Sequence, residues 1–281
     1  MPHTDLDSHI RSNVHAALDE DIGSGDLTVQ LIPAQTQAQA TVITRGIAVL
    51  CGSPWFEACF FSLDPTCKIN WQVQEGNTAT ANQILCTIQG NARAMLSAER
   101  PALNFLQTLS ATATLTRRYV EITQGTQAKI MDTRKTLPGL RMAQKYAVKT
   151  GGGYNQRVGL FDGVLIKENH IAAAGSIAAV MAQAVQITPS GIPIQIEVET
   201  LEQLDEALAA GARLILLDNF SLADLRLAVT HSAKRAELEA SGGVNLDTVR
   251  QIAETGVDRI SIGALTKDIK AIDLSMRFAP P

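Results

Sequence analysis

The sequence predicts an α/β protein: an N-terminal α+β domain followed by a parallel α/β barrel. Three observations carry that reading. After a helical opening, the hydrophobic period within residues 38–90 is that of strands. Beyond Gly125, a short apolar run followed by a helix-like stretch recurs six times. Each of those runs ends in polar or glycine residues, as strands do when their ends ring a single mouth.

The elements follow in order. Over residues 6–20, Ile10, Val14, Ala17 and Leu18 share one helical face, and the two glycines of DIGSGDLT then break the pattern. Ile69, Trp71 and Val73 alternate with Asn70, Gln72 and Gln74, which is half-buried strand patterning. Gly76, Asn77, Gly90 and Asn91 punctuate this region as turns. From Ser97 the period is helical again. Leu103, Leu106, Leu109 and Ala113 make an apolar stripe, and Pro101 falls near the expected start, where a missing N–H does least harm.

The six later runs are AKIMDTRK, GVLIKENH, IQIEVET, LILLDNF, AELEASGG and RISIGAL. From Asp132 through Lys167, Glu197, Asp218 and Ser241 to Gly263, the spacings are 35, 30, 21, 23 and 22 residues. That is the rhythm of repeated βα units. A doubly wound open sheet is the competitor, but its polar residues would gather at one switch point. In the tail, Ile272, Leu274, Met276 and Phe278 alternate with Asp273, Ser275 and Arg277. This strand is expected to return to the first domain's sheet. The expected domains are therefore 1–110, joined by 271–281, and 111–270.

Composition narrows the function classes. The chain has 281 residues, of which 46% are apolar, enough for a sizeable core and far from the composition of disorder. A formal charge of −4 argues against a nucleic-acid or membrane-surface partner, so any anion site has to be local. No apolar run approaches a membrane span, and the N-terminus lacks the basic-then-apolar layout of a secretion signal; a cytoplasmic protein is expected. Cys51, Cys59, Cys67 and Cys86 form no CxxC pair, which favours buried reduced thiols over zinc ligands.

Against this acidic background, MDTRKTLPGLR gathers Arg134, Lys135 and Arg141 beside one acid. It is either a solvated basic loop or a docking segment for an anion. Arginine's planar fork matches carboxylates bidentately, whereas lysine acts as a point charge. GGGYNQR presents Arg157 after three glycines, which terminate a helix equally well. Lys167 follows a buried run, either meeting an anion or reaching for solvent. Asn169 and His170 suit the cap of the next helix. Glu197 and Asp218 sit at run ends where carboxylates need solvation, pairing or metal; magnesium with substrate phosphates suits them, and so does pairing with Lys167. Glu199, two residues on, shares the face of Glu197, so periodicity does not choose between the two. EASGGV and SIGAL place glycines at the last two run ends, either as ordinary βα turn residues or as the phosphate cradle that barrels of this kind build there.

The ordered set DTRKTLPGLR, GGGYNQR, LIKENH, IEVET, LLDNF, EASGG and SIGALT resembles quinolinate phosphoribosyltransferase, and EDIGSGDLT and SAERPALNFLQ in the first domain match it too. The resemblance spans nearly the whole chain. It implies an N-terminal α/β sandwich domain and an incomplete TIM-like barrel that carries the active site. It implies condensation of quinolinate with 5-phosphoribosyl 1-pyrophosphate, with magnesium as cofactor, giving nicotinate mononucleotide, pyrophosphate and carbon dioxide. By that resemblance Thr133, Arg134, Lys135, Arg157 and Lys167 hold quinolinate. Arg100 joins them from a partner subunit, which implies a homodimer or a higher even oligomer. Lys135, Lys167, Glu197 and Asp218 are the expected catalytic set. Glu197 and Asp218 face the ribose and the magnesium pyrophosphate. Ser241, Gly242, Gly243, Gly263, Ala264 and Lys267 cradle the 5′-phosphate.

Two positions depart from the family's commoner pattern. Many relatives carry histidine where Gln156 stands; glutamine hydrogen bonds but does not titrate. Some carry histidine at Lys267. Two alternatives remain: a paralogue associated with molybdate transport, and a non-catalytic sugar-phosphate-binding protein. The latter needs the phosphate cradle but not the four-cation cluster with its two acids.

Overall fold

The computed structural model describes residues 6–279. The chain opens with α1 (Leu6–Ile22), β1 (Gln37–Thr44), β2 (Ala48–Val49), α2 (Ser53–Leu63), β3 (Lys68–Trp71), β4 (Thr78–Ala79), β5 (Ile84–Asn91) and α3 (Ala92–Ile122). It continues with β6 (Lys129–Met131), α4 (Arg141–Thr150), β7 (Val164–Ile166), α5 (Glu168–Ala174), α6 (Ile177–Ile187), β8 (Ile194–Val198) and α7 (Leu201–Ala209). The last elements are β9 (Leu214–Asp218), α8 (Leu222–Ser232), β10 (Glu237–Ser241), α9 (Val249–Ala253), β11 (Arg259–Ser261), α10 (Ala264–Lys267) and β12 (Leu274–Phe278).

These elements form two compact units. The first comprises residues up to Arg117, Leu137–Gly152 and the chain from Asp268; the second comprises Arg118–Thr136 and Gly153–Lys267. The sequence reading draws a boundary at 110/111, but α3 is continuous through that point and the units divide at 117/118. Segment 137–152 joins the first unit because Ala143 and Ala147 of α4 are buried in its core.

The first unit is built on a four-stranded sheet in the order β12–β1–β5–β3, antiparallel throughout. Met276 of β12 pairs with Val42 of β1, so the tail's apolar alternation meets the alternation of its neighbour. Trp55, Phe56 and Phe60 of α2 and Leu103, Leu106 and Leu109 of α3 pack into one apolar cluster with Val42 and Ile88. Aromatic edges organise part of it: Phe56 lies 4.9 Å from Phe60 and 5.4 Å from Trp71, centroid to centroid. All four cysteines are free and buried, and burial raises the thiols of Cys59 and Cys67 to about 12 and about 11.

The helix expected from Ser97 begins earlier, at Ala92. The Asn91 side chain accepts from the backbone N–H groups of Arg93 (3.0 Å) and Ala94 (3.2 Å), an N-cap that sequence periodicity did not reveal. Pro101 therefore lies inside α3 rather than at its start. The DIGSGDLT loop is tied to the same helix. Asp26 accepts from the Thr28 and Val29 N–H groups and from the Ser97 hydroxyl, and these bonds hold its carboxyl below its ordinary pKa.

The second unit is a parallel sheet in the order β6–β11–β10–β9–β8–β7, with a parallel bridge from Met131 to Tyr154 beyond β6. All six apolar runs of the sequence are its strands. The sheet is curled rather than open. If it were flat, the Tyr154 segment and β8 would stand five strand spacings, about 24 Å, apart. Instead the Gln156 Nε2 donates to Gln195 Oε1 of β8 at 2.7 Å and to Glu239 of β10 at 3.1 Å. Among the described residues no ladder joins β7 to the Tyr154 bridge, so the barrel is incomplete. Among the same residues, no single helix is long and apolar enough to cross a membrane.

One carboxylate organises the start of α2. Gly52 precedes the helix at φ 106°, where an L side chain is strained, and a Cβ there would stand 3.0 Å from Leu109 Cδ1. Glu75 accepts from the N–H groups of Gly52 (2.7 Å) and Ser53 (3.2 Å), from the Ser53 hydroxyl, and from the Tyr146 hydroxyl (3.0 Å). It thus satisfies orphan donors, meets the positive end of the helix dipole and anchors α4. Removing it strands these donors, so Glu75→Ala is expected to destabilise by about 2–3 kcal/mol. Denaturant unfolding checks this; a loss below about 0.5 kcal/mol would show that water replaces the carboxylate.

Candidate active site

Because the second unit's strands are parallel, their C-terminal ends lie on one rim. Around the rim, in sheet order, come Thr133–Lys135 after β6, Gly263 after β11, Ser241–Gly243 at β10, Asp218 at the end of β9, Glu197 in β8 and Lys167 after β7. Sequence separations of up to 130 residues or so thus collapse to neighbouring positions.

The cationic side begins at Asp132, fully buried, whose Oδ1 accepts from the Gln156 N–H at 2.8 Å. Beyond it Lys135 N–H donates to Thr133 Oγ1 at 3.1 Å, and the Lys135 carbonyl accepts from Thr266 Oγ1 of α10 at 2.7 Å. The loop is therefore held from within. A Cβ added to Gly263 would lie 3.2 Å from Lys135 Cδ and 3.8 Å from both Lys267 Cε and Thr133 Oγ1. Thr133, Lys135, Gly263 and Lys267 consequently share one corner, and Ala264 opens α10 beside them.

Arg157 is half-buried. Its guanidinium donates to the Gly163 carbonyl at 3.0 Å. Burial lowers its pKa, and the positive charge of Arg134 lowers it further, opposed by Asp162. Two guanidinium groups are thus close enough to repel, which suits an anion that accepts from both. Arg141 begins α4 in the first unit, so the eleven-residue basic stretch divides between the two units. Arg100 is exposed on α3 in the first unit.

The acidic side contains Glu197, whose Oε2 lies 3.3 Å from Lys167 Nζ. Its side chain is 12% exposed, against 46% for the lysine. Burial raises the Glu197 pKa; Lys167 opposes this, and the charges of Asp218 and Glu168 add to it. Glu199, which alternation left as an equal candidate, is exposed past the end of β8, and its N–H donates to Gln203. The pairing with Lys167 that the sequence left open is present. His170 is a cap: its Nδ1 accepts from the Lys167 N–H at 3.0 Å.

Between the two sides lies the glycine cradle. Gly242 has φ 103°, and a Cβ there would fall 2.1 Å from Asn219 Oδ1. Asn219 is itself left-handed at φ 57°; its N–H donates to the Ser241 carbonyl at 2.9 Å and its Nδ2 to Asp218 Oδ2 at 2.7 Å. This asparagine orients Asp218 and excludes any side chain at Gly242. It was not singled out in the sequence, where the one signal was an asparagine immediately after a strand, a residue that tolerates the left-handed region. Glu239 and Gln195 were also missed, since each sits inside a strand as an ordinary polar residue.

The rim therefore offers guanidinium and ammonium groups for carboxylates, backbone N–H groups and Lys267 for a phosphate, and two acids for a polyhydroxylated or metal-bearing group. Among the described residues no three metal-ligating side chains cluster, so a cation held at Glu197 and Asp218 needs further oxygens from its substrate.

Comparisons with known proteins identify the family of the chain. Residues 26–110 match the N-terminal domain model, and residues 112–277 the C-terminal domain model, of quinolinate phosphoribosyl transferase. A probable nicotinate-nucleotide pyrophosphorylase (carboxylating) of Bacillus subtilis is 42% identical over 92% of this chain and 89% of its own length. The nicotinate-nucleotide pyrophosphorylase of Mycobacterium leprae is 41% identical over 95% of this chain and 96% of its own. The structure of the Francisella tularensis nicotinate-nucleotide pyrophosphorylase superposes with a TM-score of 0.94 at 43% identity, covering 97% of each chain. With both domain models matched in order along one chain, the protein belongs to the quinolinate phosphoribosyltransferase family.

Proposed function

We propose that this chain transfers the phosphoribosyl group of 5-phosphoribosyl 1-pyrophosphate to the ring nitrogen of quinolinate and releases carbon dioxide, yielding nicotinate mononucleotide and pyrophosphate. The observation that carries this is one rim with paired guanidinium groups, Arg134 and Arg157, on one side and the Lys167–Glu197–Asp218 set on the other. The relatives named above carry this activity in their names. A non-catalytic sugar-phosphate binder has no use for the cation cluster.

Thr133, Arg134, Lys135, Arg157 and Lys167 bind the two carboxylates of quinolinate, with Arg100 supplied by a second copy in a homodimer. The ring nitrogen has no proton to lose, so no general base is required. Ser241, Gly242, Gly243, Gly263, Ala264 and Lys267 hold the 5′-phosphate, fixing C1 of the ribose in line with that nitrogen. Glu197 and Asp218 meet the ribose hydroxyls and stabilise positive charge developing at C1 as the pyrophosphate leaves. When bound, magnesium neutralises charge on the pyrophosphate, and Glu197 and Asp218 are the residues that would hold it together with phosphate oxygens. Loss of the 2-carboxylate leaves its electron pair on a ring made cationic by N-ribosylation, and a proton then replaces the carbon dioxide at that carbon. The cytoplasm is the compartment we assign.

The direct experiment supplies quinolinate, 5-phosphoribosyl 1-pyrophosphate and magnesium and follows nicotinate mononucleotide. Turnover is expected; binding of the sugar phosphate without turnover would leave the non-catalytic alternative. Glu197→Gln tests the acid. The folded-state pKa of Glu197 lies above its ordinary value of 4.5, so the stability it contributes is fully present below 4.5 and is lost as pH rises through the folded value. Above the folded value the ionised, half-buried group opposes folding. The variant is expected to lose at least about 100-fold in kcat/KM while its Tm at pH 7 is unchanged or higher. A fall of several degrees would mean that the ion pair to Lys167 outweighs burial. For Arg100, co-refolding inactive Arg100→Ala and Lys167→Ala subunits is expected to restore partial activity; verified heterodimers without activity would rule out a shared site.

A further inference from the structure

Beneath the rim lies a second polar layer that the reaction scheme does not use. Gln195 of β8 is 6% exposed and Glu239 of β10 is 1% exposed. Each lies two residues before a rim residue of its strand, Glu197 and Ser241, and so shares that residue's inward face. Gln156 joins them. Its Nε2 lies 2.7 Å from Gln195 Oε1 and 3.1 Å from each Glu239 oxygen, while Gln195 Nε2 donates to Glu239 Oε2 at 3.0 Å. The three side chains close a ring of hydrogen bonds inside the barrel.

Such a ring is not the cheapest way to fill a core. Burying a carboxylate among neutral amides carries a desolvation penalty, and apolar side chains of equal volume pack the same space without it. What the ring touches explains it better. Gln156 Oε1 accepts from the Arg157 N–H at 2.9 Å, and the Gln156 N–H donates to Asp132 Oδ1 at 2.8 Å. Asp132 N–H in turn donates to the Tyr154 carbonyl at 3.0 Å. The backbone that presents Arg157 is therefore pinned from inside the barrel. It has reason to be pinned, because the charge of Arg134 pushes on the Arg157 guanidinium. An ionised carboxylate only accepts hydrogen bonds, so Glu239 fixes Gln156 with its Nε2 turned inward and its Oε1 toward the Arg157 N–H.

We propose that Glu239, acting through Gln156, is a positioning residue for Arg157: it fixes the backbone that presents the guanidinium in the geometry that accepts a dicarboxylate. The inference rests on the reading of quinolinate as substrate. The test measures quinolinate binding by calorimetry and steady-state kinetics in both substrates, for wild type, Glu239→Gln and Gln156→Met. Glu239→Gln keeps the shape and removes the charge; Gln156→Met removes the linking hydrogen bonds at similar volume.

Both variants are expected to raise the quinolinate KM and Kd by about 10-fold, equivalent to about 1.4 kcal/mol, with the phosphoribosyl pyrophosphate KM within about 2-fold of wild type. Folded variants with a lowered Tm but unchanged quinolinate KM and Kd would reduce the ring to a packing role and overturn the inference. Should Glu239→Gln fail to fold, Gln156→Met decides alone, and collapse of both variants also overturns it. A wild type that does not bind quinolinate is a different failure: the substrate reading falls first, and the positioning role falls with it.

Discussion

The shared direction of six strands is the constraint on which the site depends. Parallel pairing of β6, β11, β10, β9, β8 and β7 puts every C-terminal strand end on one rim, so residues from Asp132 to Lys267 become neighbours without any local sequence relation. Curling of that sheet then brings its two borders round toward a common interior, where Gln156, Gln195 and Glu239 meet. Rim chemistry and inner layer are two levels of the same geometry. Residues i and i+2 on a strand face the same way, so a strand that offers Glu197 to the mouth necessarily offers Gln195 to the floor.

The electrostatics of the rim are tuned on both sides. Arg157 is pushed down in pKa by burial and by Arg134, while Glu197 is pushed up by burial and by its acidic neighbours. Each side also holds a partial counter-charge, Asp162 for the first and Lys167 for the second. An anion accepting from both arginines would offset the first shift, and a cation beside the acids would offset the second. Lys167 Nζ lies 3.3 Å from Glu197 Oε2.

Much of this was legible in the chain. Six apolar runs became six strands because each is short, apolar and closed by a polar or glycine residue, a pattern that a parallel strand covered on both faces requires. The apolar stripe of α3 is buried at Leu103, Leu106, Leu109 and Ala113. What periodicity misjudged was an end: α3 starts at Ala92 because Asn91 caps it, and a cap is a hydrogen bond rather than a period. Segment 137–152 was equally opaque, since α4 is assigned by what its alanines pack against.

By itself, the sequence determined the strand rhythm, the helical stripes, the cation-rich segment and the ordered motifs that mark the family, all of which are local patterns of residue type. Tertiary structure alone decided which glutamate faces the mouth, that Asn219 forbids a side chain at Gly242, and that Gln156 links Glu239 to the Arg157 backbone. The reason is range. Period and turn chemistry act over a few residues, whereas burial and hydrogen bonds across the barrel join groups 39 to 83 positions apart that no window along the chain places together.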